Sequence, residues 1–476
     1  MKLIPIFVIL VSLTAKANFK ELSNEFLREN ASVQSLIGNS LKADQGIKFV
    51  ESSLAPKFGG GASFVDNNSD SANAVNFAAG KTTSVDLNFS KATSWGGVFS
   101  LNNSFEKVIQ DPSRIIIFGG DPEIHQFKQT ISFATSLTRN IFGQEFDLNL
   151  NSSILNAEYV DLLSQSSLND LMMQFSQAYS RAVLSKELFD LQARALERAK
   201  KRLVLVKRRV SDGINLKADL YRAESAKVFQ EEQLDQAKQE LNKALFSLSS
   251  HLHREVLVSE IGTVKNITAA QEGIKNYSQS IKKEQPLIDS RKRFAENQEL
   301  EKEKSARKML PEMNFSVAYQ TNDYDAESSN VFDKGNLGGD RNTLSVGLEF
   351  TYNFGRVSER ASLTQAEINH NQALHQLSAA HENVKNRRLM LQENLRLSTN
   401  NIRKATRRVE LSTSIINEYV KLFSLGRVTL DQVIQAEEDL INSERRLAQQ
   451  VAANFTQFLE LASLDYFLPD LVEGNF

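Results

Sequence analysis

The residues best suited to metal chemistry in this sequence are its six histidines, since cysteine is absent. His251 and His253 are two residues apart, so in an extended segment their imidazoles could bind one metal ion. No carboxylate or third histidine lies at a recognised ligand spacing from them. His370, His375 and His381 are five and six residues apart and do not share one helix face. We therefore expect no metal site.

Other catalytic patterns are also missing from the sequence. The run Gly59-Gly60-Gly61 is not a phosphate-binding loop, because no Lys-Ser or Lys-Thr pair follows it at the required spacing. It is more typical of a strand that bends. No strong local motif combines serine, histidine and aspartate or pairs two carboxylates. We predict that the protein is not an enzyme and binds no cofactor.

Basic residues are clustered at Lys200-Lys201-Arg202 and Lys207-Arg208-Arg209, and again at Arg403-Lys404 and Arg407-Arg408. Such runs on long helices are usually solvent-exposed faces. The alternative is a surface that contacts an acidic partner. The net charge of the whole chain is only −2, so its composition does not indicate nucleic acid binding.

Alternating apolar residues predict amphipathic strands. In Leu344–Gly355 the even positions up to Phe354 are apolar, and Glu349 and Asn353 lie on the opposite face. A strand of about 9–11 residues with one apolar face suits a membrane-spanning barrel. Further alternating runs predict strands over about 57–138 and from about 313, with glycine-rich turns between them.

Long helices should position these strands. Neither glycine nor proline occurs from Asn151 to Val210 or from Val357 to Leu425, and apolar residues recur there at spacings of three and four. We predict two antiparallel helical hairpins that turn at Gly213 and Gly426. An arm of about 60 residues would reach roughly 90 Å.

The N-terminus, residues 1–17, has the layout of a signal peptide, with Lys2, an apolar run and Ala15-Lys16-Ala17. Cleavage is expected after Ala17, so the chain should be exported. No later stretch approaches the ~18 apolar residues of a membrane-spanning helix. Residues 251–280 are predicted to be an irregular connection, and residues 467–476 a C-terminal tail.

The chain contains an internal repeat. Gly213 and Gly426 are 213 residues apart, and the same offset aligns Ala223-Glu224 with Ala436-Glu437. Pro56 and Pro311, which precede the strands, are 255 residues apart, so the first half is 42 residues longer between proline and glycine. That surplus coincides with extra alternating runs between residues 85 and 137.

The repeat of helix, proline, strands, helix, glycine and helix resembles the TolC-like outer membrane efflux protein family. The resemblance rests on this order, on Gly426-Arg427-Val428-Thr429-Leu430-Asp431-Gln432-Val433, and on the strand ending Tyr352-Asn353-Phe354-Gly355. It extends over residues 18–250 and 281–466 as two efflux repeats. It implies a mixed α and β fold, with long coiled-coil hairpins forming a periplasmic barrel and a transmembrane β-barrel shared between subunits.

The resemblance further implies a homotrimer in the outer membrane. Subunits of this family usually give four strands each to a shared 12-stranded barrel, and their helix turns meet a periplasmic adaptor or an inner-membrane transporter. The protein would export small molecules or proteins without altering them. The turn residues expected to contact the adaptor are Gly213, Ile214, Asn215, Gly426, Arg427 and Val428.

Two departures from the family pattern concern the tunnel entrance and the strands. Gln432 and Gln435 stand where family members often carry two aspartates, and Asp431 lies one position earlier. The extra alternating runs between Val85 and Leu137 bring the first repeat above the usual two strands. The rival interpretation is a periplasmic coiled-coil scaffold or adaptor without a barrel, and the alternating strands argue against it.

Overall fold

The structure is a computed structural model that describes residues 19–67, 80–110, 121–278, 285–337 and 341–473. The predicted signal peptide, residues 1–17, lies outside the described residues. The chain divides into two compact units. The first contains Met1–Ser40, Asp161–Ser290 and Ser378–Phe476, and the second contains Leu41–Val160 and Arg291–Leu377.

The second unit contains one antiparallel sheet of six strands, in the order β1 to β6. The strands are β1 (Lys57–Asn67), β2 (Gly80–Ala92), β3 (Gly97–Gln110), β4 (Glu123–Ser136), β5 (Glu312–Asp325) and β6 (Asn342–Thr351). Each alternating run of the sequence forms one of these strands. β6 ends before the alternation does, because Gly355 and Arg356 have φ values of +88° and +46° and turn the chain into the next helix.

The described part of the chain contains ten α-helices. They are α1 (Phe19–Glu29), α2 (Ala31–Glu51), α3 (Gln144–Ser211), α4 (Lys217–Leu252), α5 (Val264–Ser278), α6 (Pro286–Arg307), α7 (Ser328–Lys334), α8 (Val357–Ser424), α9 (Leu430–Asp465) and α10 (Leu468–Glu473). None of the described helices has an apolar stretch long enough to cross a membrane.

The four longest helices repeat with the offset found in the sequence. α3 and α8 each have 68 residues, and α4 and α9 each have 36. Adding 213 to each bound of α3 and α4 gives the bounds of α8 and α9. The glycine-free lengths therefore fold as two helix pairs of equal length, in keeping with an internal duplication.

The segment 251–280, predicted to be irregular, contains the 15-residue helix α5, so that prediction was wrong over this part. The segment has about the same proportion of apolar residues as the rest of the chain, but Gly262 and Gly273 interrupt their periodicity. Ile267 and Ile274 are nevertheless seven residues apart and both fully buried. Burial of this one face stabilises a helix that its composition alone does not predict.

Both termini of the described chain are helical. The first helical segment is divided at Asn30, whose side-chain Oδ1 accepts hydrogen bonds from the N–H groups of Ser32 and Val33 at 2.9 and 3.3 Å. In the predicted tail, Leu468 is buried and its N–H donates to Asn169 Oδ1 at 2.8 Å. The tail therefore packs on α3.

The core of the first unit is formed by helices from both halves of the chain. Phe26 stacks on Phe175 with ring centroids 4.7 Å apart, and Phe19 meets Phe455 edge to face at 5.4 Å. Tyr179 is also fully buried there, and burial raises its pKa to about 12. Close to the two helix turns lies a second apolar cluster, which includes Val206, Ala223, Phe423, Val433 and Leu440.

Candidate functional site

The six-stranded sheet has one apolar and one polar face. In an antiparallel pair, directly opposite residues point to the same side, so the strand register assigns every residue to a face. The apolar face includes Phe58, Leu87, Leu101, Phe133, Val317 and Val346. The polar face includes Ser63, Asn88, Asn102, Ser132, Ala318 and Ser345.

The apolar face of the sheet is exposed to solvent over β6 and β1. Leu344, Val346 and Leu348 retain 66, 65 and 63% of their exposure, although they are the most apolar residues of β6. Phe58 and Phe64 of β1 are similarly exposed. A contiguous apolar surface of this kind marks an interaction with lipid or protein rather than with water.

The two outer strands of the sheet are each paired on one side only within the described residues. β1 pairs with β2, and β6 pairs with β5. Their free edges carry backbone N–H and C=O groups with no partner strand. In a membrane such groups must be paired, because hydrocarbon offers no hydrogen bonds. In a membrane, the sheet of one chain would therefore be incomplete on its own.

One end of the apolar face is covered by the connection between β5 and β6. Phe332 of α7 packs against Phe105 and Phe127, with ring centroids 5.4 and 4.9 Å apart. Beside it, Gln129 donates from Nε2 to Asn103 Oδ1 at 2.5 Å, and Gln129 Oε1 accepts from the N–H of Leu337 at 3.1 Å. The amides of Asn103 and Gln129 are thereby hydrogen-bonded.

The opposite end of the sheet carries a group of aromatic side chains. Phe133 lies against Trp95 and Phe99, with ring centroids 5.5 and 4.9 Å away. The Arg356 guanidinium lies 4.2 Å from the centroid of the Tyr352 ring. Aromatic residues that border an apolar band are typical of barrels at the membrane–water interface.

The two helix turns have the same backbone geometry. Gly213 and Gly426 both have φ +73°, a left-handed conformation that favours glycine. The N–H of Ile214 donates to Arg209 O at 2.8 Å, and that of Arg427 donates to Leu422 O at 2.9 Å, so each turn closes on the helix before it. The predicted turn positions are thus equivalent in structure.

Arg209 connects the two turns. Its Nε donates to Asn215 Oδ1 at 2.7 Å in the first turn, and its Nη1 donates to Phe423 O at 2.7 Å at the end of α8. A guanidinium is favourable at this place, since the last carbonyl groups of a helix lack partners and carry negative charge. Arg209 therefore links the turns within the chain, and Asn215 is one of its partners.

The three residues predicted at the tunnel entrance make different contacts. Gln432 forms a capping box with Thr429 at the start of α9: its Oε1 accepts from the N–H of Thr429 at 2.9 Å, and its N–H donates to Thr429 Oγ1 at 3.3 Å. Gln435 Nε2 donates to Asp439 Oδ1 at 3.3 Å. Asp431 Oδ2 lies 3.0 Å from Nη1 of Arg222 in an exposed ion pair. The Gln432 amide is hydrogen-bonded at the start of its own helix, whereas the Gln435 amide bonds to Asp439. The two glutamines therefore do not act as a matched pair.

No protein family model and no curated protein matches this sequence. Solved structures do match. The outer membrane protein VceC from Vibrio cholerae has a TM-score of 0.66 at 13% identity, over 96% of each chain. The open state of the MtrE outer membrane channel from Neisseria gonorrhoeae scores 0.67 at 11% identity, over 94% of this chain and 88% of that one.

The CmeC outer membrane channel from Campylobacter jejuni has a TM-score of 0.64 at 13% identity, over 96% of this chain and 86% of that one. The chain has the fold of these outer membrane channels. The likeness extends over both units, and it agrees with the mixed α and β architecture expected from the repeat. At this identity the likeness concerns the fold of the channel, and the side chains of this protein must be considered individually.

Within this channel fold, sequence reasoning missed a buried ion pair. Arg202, placed in a basic cluster expected to be solvated, is only 7% exposed and donates from Nη1 to Glu437 Oε2. Burial lowers the pKa of Arg202 to about 10, so the guanidinium stays charged at neutral pH. A partial sequence signal for this ion pair was present, because Glu437 belongs to the repeated Ala-Glu pair. The neighbouring Lys200 and Lys201 are exposed, as expected.

The channel fold places His251 and His253 at the end of α4. The His251 ring lies edge-on to Phe26 and Phe175, with centroids 6.1 and 6.4 Å away, and burial lowers its pKa. His253 has φ +52° and ends the helix. Among the described residues no group of three or more histidine, aspartate or glutamate side chains is arranged to hold a metal ion.

Proposed function

We propose that this protein is a subunit of an outer membrane channel-tunnel that exports small molecules or proteins. The observation that carries the proposal is the exposed apolar face of the sheet in a chain with an outer membrane channel fold. Lipid would cover that face, and the polar face would line a water-filled lumen. Transport of this kind requires no catalytic group and no cofactor.

The free edges of β1 and β6 support a shared barrel. One chain cannot satisfy both edges, so neighbouring copies would supply the missing strands. On this proposal three copies form the channel, and their long helices enclose the periplasmic part. The signal peptide predicted from residues 1–17 would export each chain before assembly.

The helix turns would form the end of the channel that meets its partners. Ile214, Leu216 and Leu425 are 63, 73 and 66% exposed at the turns, which gives this end an apolar surface for a protein partner. Together with Gly213, Asn215, Gly426, Arg427 and Val428, these residues would contact a periplasmic adaptor or an inner-membrane transporter.

A periplasmic scaffold without a barrel fits this structure less well. Such a protein would leave the apolar side chains of β6 and β1 in water, at an unfavourable free energy of about 25 cal/mol per Å² of apolar surface. It would also leave two sheet edges open to aggregation. The lipid-facing barrel removes both problems.

The proposal is tested by the behaviour of the purified protein. We expect it in the outer membrane fraction, with gel migration that changes on heating as the barrel unfolds. In mild detergent, light scattering corrected for bound detergent should give the mass of three chains. Soluble protein in the periplasmic fraction, or a monodisperse monomer in detergent, would contradict the proposal.

The tunnel entrance should bind cations poorly in the native channel, because Gln432 and Gln435 are uncharged and Arg222 partly neutralises Asp431. Single-channel conductance in planar bilayers should therefore show weak block by millimolar divalent cations. Arg222→Ser should strengthen that block several-fold by freeing three carboxylates in a narrow pore. The double variant Arg222→Ser with Asp431→Asn is the control and should lose the gain. Strong block that persists in Asp431→Asn alone would place the entrance elsewhere.

A further inference from the structure

The number of strands in one chain determines the width of a shared barrel. The TolC-like resemblance leads one to expect four strands per subunit, whereas the described residues of this chain form six strands in one continuous sheet. The additional pair is β2 and β3, joined by the short turn at Thr93–Gly96, where the N–H of Thr93 donates to Gly97 O at 2.8 Å. These strands lie between β1 and β4 and are paired on both sides.

The added strands continue both faces of the sheet. Leu87 and Phe89 of β2 and Phe99 and Leu101 of β3 lie on the apolar face, in register with Phe133 and its neighbours on β4. The polar face continues in the same way through Asn88 and Asn102. β2 and β3 therefore have the same two-sided pattern as the rest of the sheet and are part of the barrel wall.

An even number of strands lets copies join without breaking the pattern. In a sheet of six antiparallel strands, β1 and β6 run in opposite directions, so β6 of one copy can pair with β1 of the next in the antiparallel sense. The two edges have nearly equal lengths, 11 and 10 residues. Their even-numbered residues are apolar over Leu344–Phe350 of β6 and apolar or glycine over Phe58–Phe64 of β1, so the apolar face would continue across the junction.

We infer that three copies of this chain close into an eighteen-stranded barrel, with a lumen much wider than a twelve-stranded barrel would have. The inference rests on the proposed channel function and adds the size of its membrane pore. With strands about 4.8 Å apart and tilted by about 40°, the backbone radius is about 18 Å for eighteen strands and about 12 Å for twelve. After about 5 Å is subtracted for inward side chains, the open radius is about 13 Å instead of about 7 Å.

The lumen side would be hydrated and weakly selective. Its side chains are mainly serine, asparagine and threonine, and the few charged ones have both signs, such as Asp86, Lys128 and Glu349. A barrel of this size leaves an aqueous channel. The membrane part would therefore admit bulky hydrophilic cargo, and any size limit would be set by the helical part.

Strand pairing between copies can be tested by disulfide formation, without background because the chain has no cysteine. Ala62→Cys on β1 would be combined in turn with Leu344→Cys, Val346→Cys or Leu348→Cys on β6, since the register between copies has to be found. We expect one combination to give a covalent ladder that ends at three chains. Ser63→Cys faces the other side of the sheet and should not cross-link with the same partner. A ladder that ends at two chains would overturn the inference.

The strand count itself can be read from electron cryomicroscopy of the purified channel. We expect a ring of eighteen strands with threefold symmetry. A ring of twelve with twofold symmetry would mean a dimer, and a ring of twelve with threefold symmetry would mean that β2 and β3 lie outside the wall. Either result overturns the inference and leaves the channel function intact. The absence of any ring would instead refute the proposed function.

A deletion provides a second test of the role of β2 and β3. Removing residues 68–109 joins β1 to the residues that directly precede β4, and the length removed equals the 42-residue surplus of the first half. We expect this variant to form a ring of twelve strands, about two thirds as wide. An unchanged ring width in the shortened chain would contradict the assignment of β2 and β3 to the barrel wall. If the shortened chain fails to fold, the strand count of the native channel decides the question.

Discussion

Replacing Leu348 by arginine should prevent assembly of the proposed channel, whereas arginine at the adjacent Glu349 should be tolerated. Leu348 lies in the middle of the exposed apolar face of β6, and Glu349 lies on the polar face opposite Asn314. Arginine near the bilayer midplane of a barrel costs about 2–4 kcal/mol per site, and three copies would each bear that cost. The expected result is loss of heat-modifiable oligomer from the outer membrane fraction for Leu348→Arg only.

Glu349→Arg is a matched control, because it introduces the same side chain one residue away on the same strand. Leu348→Phe, which keeps the apolar face, should assemble normally. Equal tolerance of Leu348→Arg and Glu349→Arg would remove the lipid-facing assignment. Equal failure of both would mean that β6 is sensitive for reasons other than the face on which the charge lies.

A second large effect is expected at the buried ion pair of Arg202 and Glu437. Replacing Arg202 by methionine would leave the Glu437 carboxylate buried without a partner, which typically costs about 3–5 kcal/mol. Replacing both, as Arg202→Met with Glu437→Leu, should recover most of that stability, since an apolar pair of similar volume needs no compensating charge. The measurement is the midpoint temperature for loss of the helical circular dichroism signal in detergent.

Lys200→Met serves as the control for the loss of one positive charge from the same cluster, because Lys200 is exposed and its pair with Glu197 is on the surface. We expect its midpoint to match that of the native protein. If Arg202→Met and the double variant were equally destabilised, the energy would come from the packing of the arginine stem and not from the unpaired carboxylate.

The strands and the long helices were predictable because their patterns are local. Alternation in Leu344–Phe354 and in the five other runs needs only neighbouring residues, and the positive φ of Gly213 and Gly426 follows from their position after long glycine-free stretches. The offset of 213 residues then related the two halves. The match to outer membrane channels in fold agrees with these features.

The interactions that sequence reasoning missed connect residues far apart in the chain. Arg202 and Glu437 are separated by 235 residues, and Arg209 bonds to Phe423, 214 residues away. A basic residue on a helix has the same local pattern whether it is solvated or buried, so only the packing of α9 and the end of α8 distinguishes Arg202 and Arg209 from Lys200. The capping role of Gln432 is different, because Thr429 and Gln432 are three residues apart and form a capping box whose pattern is local.

The one-sided pairing of β1 and β6 has a genetic consequence. On the proposed barrel, in which three chains form each pore, an altered chain that still assembles enters the same pores as the normal product. With equal amounts of the two chains and random mixing, only about one pore in eight would contain normal chains alone. An allele that disturbs strand pairing at one edge of the sheet, or that alters the lumen, should therefore be dominant over the normal gene. An allele whose product is degraded before assembly should be recessive.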